Sequence, residues 1–213
     1  MKLRTESYLE QVKRWPKSGK HILTQCDADM VIVYQAYRPA IGQFAAEHQY
    51  FGGEFSFNRM SWIKTNFLWM MYRSGWGTKD GQEVTLAVRL AREGFDEILR
   101  RAVHSSYVPE VYGTEENWKS CLRESNVRLQ WDPDHDPFGT KQERRAIQLG
   151  LSGEVLRQYA KDWILSIEDI SEFVAQQRTL VERKAISELA TPVEGKYLVG
   201  DSGAAKRIQI DSN

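Results

Sequence analysis

The strand-like segments of this chain fall at uneven intervals, and that spacing limits the folds open to it. DMVIVYQAY (29–37) is rich in β-branched and aromatic residues and reads as a central strand. Arg38-Pro39 ends it, because proline has no ladder donor and pushes the preceding residue out of the α region. Pro39 suits the first turn of a helix, and IGQFAAEHQYF then puts Ile41, Phe44, Ala45 and His48 on one face. Further strands are expected within FSFNRMSWIK and at VTLAVRL, VRLQW and RRAIQLGL. Helices are expected at TNFLWMMYRSGW, capped by Thr65 or Asn66 and closed by Gly75 and Gly77, and at FDEILRRAVHS. Residues 5–15 read as a short helix or ordered arm, and two further helices are expected from Ser152 and over Ser166–Leu189. DPDHDPFGT reads as a loop. Short strands separated by connections of such varied length do not suggest regular βαβ winding, so the expected class is α+β. The expected organisation is an N-terminal arm over 1–28, one compact domain over 29–190 and a flexible polar tail over 191–213. The domain would hold a small mixed or antiparallel sheet flanked by helices.

Charge and composition exclude several classes. Lys+Arg and Asp+Glu both number 29, which argues against a polybasic protein but leaves room for a local basic cleft. No stretch approaches the ~18 apolar residues of a membrane span, and the N-terminus has no signal-type apolar core. Cys26 and Cys121 stand far apart with no CxxC spacing, so no zinc site or disulfide is expected and a cytoplasmic setting is. Phosphate loops, GxGxxG turns, HExxH and GxSxG are all missing.

Aromatic placement says more. Twelve of the 24 aromatic residues fall between Tyr34 and Trp76, a window with two acids, Glu47 and Glu54, and four bases, Arg38, Arg59, Lys64 and Arg73. Strand alternation puts Arg38 at the end of one face with Tyr37 on the other, and separates Ser61 and Ile63 from Trp62 and Lys64. On the following helix Phe67, Met70 and Met71 make a core stripe, beside a second stripe of Trp69, Tyr72, Arg73 and Trp76. A cation among rings with few acids nearby either stacks or meets an anionic ligand. In VRLQWDPDHD, Gln130 and Asp132 share a face; Asp132, Asp134, His135 and Asp136 would suit a metal or a general base, but Asx turns account for the same residues and no metal is expected. Arg144, Arg145 and Gln148 are further polar candidates.

The segments QAYRPAI, RMSWIKTNFLWMMYRSGW, VRLQWDPDH, RAIQLGLSGE and WILSIEDIS resemble the bacterial and fungal family known as domain of unknown function 4291, over about Asp29 to Val174. The family carries no established activity. More distantly, the element order is similar to the layout of compact ADP-ribosyltransferase-like enzymes, including RNA 2′-phosphotransferases and toxins that modify DNA. That likeness implies NAD as cofactor and a nucleotide or short nucleic acid as partner. It would place Tyr37, Arg38, Ser61, Trp62, Lys64 and Arg73 around the cofactor, with Arg38, Gln130 and Asp132 as the catalytic set. Arg38 and Lys64 would grip the pyrophosphate, and Asp132 would offset positive charge developing at the ribose. No glutamate stands in the usual late-strand position, so Gln130, Asp132 or Gln142-Glu143 would have to take its part. The alternative is a non-catalytic module for single-stranded nucleic acid, with bases stacked on rings and phosphates on Arg and Lys.

Overall fold

A computed structural model describes residues 3–211. Its strands are β1 (Thr5–Ser7), β2 (Gly19–Lys20), β3 (Leu23–Thr24), β4 (Met30–Tyr37), β5 (Ser61–Lys64), β6 (Val84–Ala91), β7 (Ala102–His104), β8 (Val127–His135), β9 (Lys141–Leu151), β10 (Ile164–Asp169), β11 (Ala190–Pro192) and β12 (Gly195–Lys196). Its helices are α1 (Tyr8–Val12), α2 (Pro39–His48), α3 (Phe67–Ser74), α4 (Arg92–Arg101), α5 (Pro109–Tyr112), α6 (Glu115–Glu124), α7 (Gly153–Lys161), α8 (Ser171–Glu182) and α9 (Ser202–Arg207). The class is α+β. One mixed sheet of eight strands dominates, in the order β10-β6-β4-β5-β9-β8-β7, with β2 beside β9. β7–β8 and β2–β9 are parallel pairs, and the other neighbours are antiparallel.

β4 is apolar on both faces because both are covered. Val31 and Val33 join Val88, Leu90, Ile63, Leu129 and Leu149 in one core, under Phe95, Ile98 and Leu99 of α4 and Leu156 and Tyr159 of α7. Ile32 and Tyr34 face the other way, under Phe67, Leu68, Met70 and Met71 of α3 and Val174 of α8. Asn66 caps α3 by accepting from Trp69 N at 2.8 Å, and Gly75 ends it at φ 57°, in the left-handed region. Full burial of each large apolar side chain of α3 contributes roughly 1.5–3 kcal/mol. This second cover does not reach across the whole sheet. Over β5, β9 and β8 the same face carries Lys64, Gln148 and Gln130, which stand directly opposite one another across the strands.

Several expectations are corrected. Only Ser61–Lys64 of FSFNRMSWIK is strand. Asp132–His135 belongs to β8, so the loop expected at 132–140 shrinks to the turn after it. Ile164–Asp169 is not the start of a helix but an edge strand on β6, and α8 begins at Ser171. The N-terminal arm and the segment after Pro192 are built into the fold. β1 pairs with β11, β3 with β12, and Tyr197 and Ile208 are buried in the main core. Met1, Lys2, Ser212 and Asn213 lie outside the described residues.

Glu194 shows how firmly that last segment is held. Its carboxyl group is buried at the start of α3, accepting from Phe67 N at 2.7 Å and Asn66 Nδ2 at 3.3 Å, with no ion pair among the described residues. Burial outweighs the Phe67 bond and holds the carboxyl well above the usual range. The folded state therefore binds a proton that the unfolded chain has released. Stability falls as pH rises from the unfolded carboxyl range through the raised folded value. Urea midpoints compared between pH 5 and pH 8 should drop in the wild type and change less in Glu194→Gln. An equal drop in both would show that Glu194 is not the titrating group.

Candidate functional site

β4 and β5 share a single residue pair, Tyr34 with Lys64, and then part. A buried side chain closes the gap. Gln35 Nε2 donates to Ser61 Oγ at 2.8 Å, Tyr37 Oη at 2.7 Å and Trp62 O at 3.3 Å, while its Oε1 accepts from Tyr159 Oη at 2.5 Å. Tyr37 Oη and Ser61 Oγ are 2.5 Å apart. Where the strands part, a cleft of about 530 Å³ opens. Its rim and floor come from β4, β5, β8, β9, α3 and the loops before β5 and β6.

Among the described residues three cations line this cleft, Arg59, Lys64 and Arg73, and no carboxylate does. None of the three makes an ion pair among the described residues. Lys64 is only 6% exposed. Burial pushes its amine down to about 8, with the nearby Arg73 charge adding to the shift and Asp132 opposing it. Arg73 lies over Trp69, 5.9 Å from the ring centre. Trp62 sits opposite Gly150, and its indole crosses that residue so closely that a Cβ there would lie 2.9 Å from the ring. Only glycine allows the ring to lie down on the sheet in this way.

The far wall is amide-rich. Gln148 Nε2 donates to Gln130 Oε1 at 2.7 Å and to Asp132 Oδ2 at 2.6 Å, tying β9 to β8. Gln130 lines the cleft; Asp132 reaches it only through Gln148. Of the residues expected from sequence, Tyr37, Ser61, Trp62, Lys64, Arg73 and Gln130 therefore converge on one cleft. Tyr37 and Ser61 are bound into the Gln35 network, and Tyr37 packs edge-on to Phe51 and Phe55. Burial raises the Tyr37 hydroxyl well above its usual range, which keeps it a neutral hydrogen-bonding group.

Arg38 lies elsewhere. β4 ends at Tyr37, and Arg38 turns outward to pair with Glu54 at 2.5 Å in the neighbouring groove, about half exposed. It does not share the wall of this cleft with Lys64. Arg144 belongs to a buried pair with Asp134, and Asp136 accepts from Phe138 N and Thr140 N in the turn after β8. His135 is stacked on Tyr72 with centroids 3.6 Å apart. No group of three or more His, Cys, Asp or Glu with metal-holding geometry occurs among the described residues. Nor is any helix of the described residues long and apolar enough to cross a membrane.

Sequence reasoning missed Gln82 and noted Arg59 only as one of the four bases of the aromatic window, since both come from loops without periodicity. Gln148 carried a usable signal. A lone glutamine inside each of two apolar runs, RLQW and IQLG, marks a polar position on otherwise buried strands.

A comparison with curated proteins finds no match. Residues 21–197, most of the chain and all of the cleft, match the family described as Domain of unknown function (DUF4291), and the chain belongs to that family.

Proposed function

We propose that this cleft binds NAD or a related nucleotide through its phosphates, in an ADP-ribosyltransferase-like enzyme whose acceptor is a nucleic acid. One observation carries the reading: three unpaired cations and no carboxylate line a cleft of about 530 Å³, a volume suited to a small molecule. Lys64 and Arg73 would hold the pyrophosphate, a point charge from the sheet and a planar fork from the helix. Arg59 adds charge at the loop side. Gln130 and Gln148 offer amides to a base, a ribose hydroxyl or a carboxamide. In transfer, the bond from ribose C1′ to nicotinamide breaks with its electron pair leaving on the nicotinamide. The acceptor forms the new bond to C1′ and releases its proton. Asp132, whose charge reaches Lys64 and which Gln148 binds, would offset the positive charge developing at C1′.

Calorimetry with NAD tests the reading. Each charge-assisted contact is worth about 1.5–3 kcal/mol, so Lys64→Ala and Arg73→Ala should each weaken binding about 10–100-fold. Affinity in the wild type should fall as pH rises through about 8, where Lys64 loses its proton, and Lys64→Arg should remove that fall. No binding of NAD at millimolar concentration overturns the proposal. Salt-sensitive oligonucleotide binding in its place would support the non-catalytic module.

A further inference from the structure

β7 pairs with β8 only from Ala102–His104 to Val127–Leu129. Beyond Leu129 the outer edge of β8 has no strand beside it among the described residues, and a second cleft of about 410 Å³ lies there. It backs onto the first, since Gln130 lines both clefts and Asp132, which lines the second, is bound by Gln148 of the first.

The charge at this second cleft is unusual for a sheet. Lys20 of β2 and Arg145 of β9 stand directly opposite each other and both line it. Like charges in that position destabilise a strand pair. Lys20 Nζ donates to Gln209 Oε1 at 2.7 Å, an uncharged partner, and the Arg145 guanidinium has no partner among the described residues. Asp132, the one carboxylate in the lining among the described residues, already accepts from Gln148, and Asp211, outside the lining, accepts from Lys20 N at 2.9 Å. His104, also in the wall, adds no charge. Burial pushes its imidazole down to about 4, with Lys20 and Arg207 contributing, and the Tyr112 hydroxyl lies 3.1 Å from Nδ1. A repelling pair of cations facing a cleft is accounted for by an anion that spans them.

We infer that the second cleft seats a phosphate of the acceptor strand, held between Lys20 and Arg145, with Gln130–Asp132 as the wall between donor and acceptor. The phosphate seat stands on the geometry of this cleft alone; its role as the acceptor side rests on the function proposed for the first. A terminal monoester and a backbone diester share the chemistry, and two probes separate them.

The test is calorimetry of the full chain with a 5′-phosphorylated tetranucleotide and with the same strand lacking the 5′-phosphate. The double variant Lys20→Gln/Arg145→Gln should bind the phosphorylated strand about 10–100-fold more weakly while NAD affinity stays within about twofold. Its thermal midpoint should change little, because the repulsion removed offsets the loss of the Lys20–Gln209 bond. A loss confined to the phosphorylated strand assigns a terminal phosphate, and an equal loss for both strands assigns the backbone. If the double variant binds both strands as the wild type does, the phosphate seat is wrong. If NAD binds nowhere but the double variant still loses the strand, the seat stands and the reading of the first cleft falls.

Discussion

Replacing Arg144 with methionine should lower stability by about 3–5 kcal/mol, because it strands a buried carboxylate. Asp134 is 1% exposed, and Arg144 reaches it through both Nη2 at 2.6 Å and Nε at 2.7 Å. The same guanidinium donates to Pro16 O at 2.7 Å and lies 5.2 Å from the centre of the Trp15 ring. One side chain thus joins β9, β8 and the segment after α1. Burial still holds the Asp134 carboxyl above its usual range, with Arg144 and the His135 amide opposing. Without Arg144 the carboxyl rises further, and folding would require it to take up a proton at neutral pH. The deficit of Arg144→Met should therefore be larger at pH 8 than at pH 5, since a raised carboxyl pKa costs stability as pH increases. Removing both partners, as Arg144→Met/Asp134→Leu, should recover most of the loss, since it is the unpaired charge that is expensive. Urea denaturation of the three proteins measures this. A single-variant loss under about 1 kcal/mol, typical of an exposed pair, would show that the bridge is not structural.

The sequence made the buried strands legible because their patterns had one explanation. β4 and β6 are largely apolar runs, each bounded by a Pro or Gly signal, and both are interior strands of the sheet with a neighbour on each side. β10 was hidden because Ile164, Ile167, Ile170 and Val174 recur at helical spacing across a strand and into α8. The edge of β6 needed a partner, and tertiary pairing overrode the period. The segment after Pro192 looked like a tail because its composition is polar, yet three isolated anchors, Glu194, Tyr197 and Ile208, fix it. Isolated anchors leave no periodic trace. At the cleft, Lys64, Trp62 and Gln130 were visible as polar or bulky interruptions of strands, and Arg73 as a cation on an aromatic helix. Arg38 looked equivalent to Lys64 in sequence. Its outward turn depends on Glu54, sixteen residues on in a loop, and nothing in strand periodicity reports such a pairing. The register that aligns Lys64, Gln148 and Gln130 is likewise a property of the sheet and not of any one segment.

Gln35→Leu should be the second severe substitution, lowering stability by about 3 kcal/mol or more, and it links the core to the cleft. Gln35 is 2% exposed and its amide serves α7, β4 and β5 at once. Leucine fills similar volume but leaves the Tyr159 hydroxyl, in the middle of an apolar core, without its acceptor. Each buried polar group left unsatisfied costs about 1–3 kcal/mol, and both Tyr159 Oη and Trp62 O lose their side-chain partner. The Trp62 carbonyl would then lose its tie to β4, and beyond the Tyr34–Lys64 pair Ser61 would be held to β4 only by the Tyr37 hydroxyl. Since both residues line the cleft, ligand affinity should fall along with stability. Tyr159→Phe separates the two effects, because it removes the phenol while leaving Gln35 bonded to Ser61 and Tyr37. In a double-mutant cycle, Gln35→Leu should cost less in the Tyr159→Phe background than in the wild type, as expected for groups in one network. Strict additivity, or a loss under 1 kcal/mol for Gln35→Leu alone, would mean that β4 and β5 are held together without this amide. The cleft would then owe its shape to the packing of α3 and Trp62 instead.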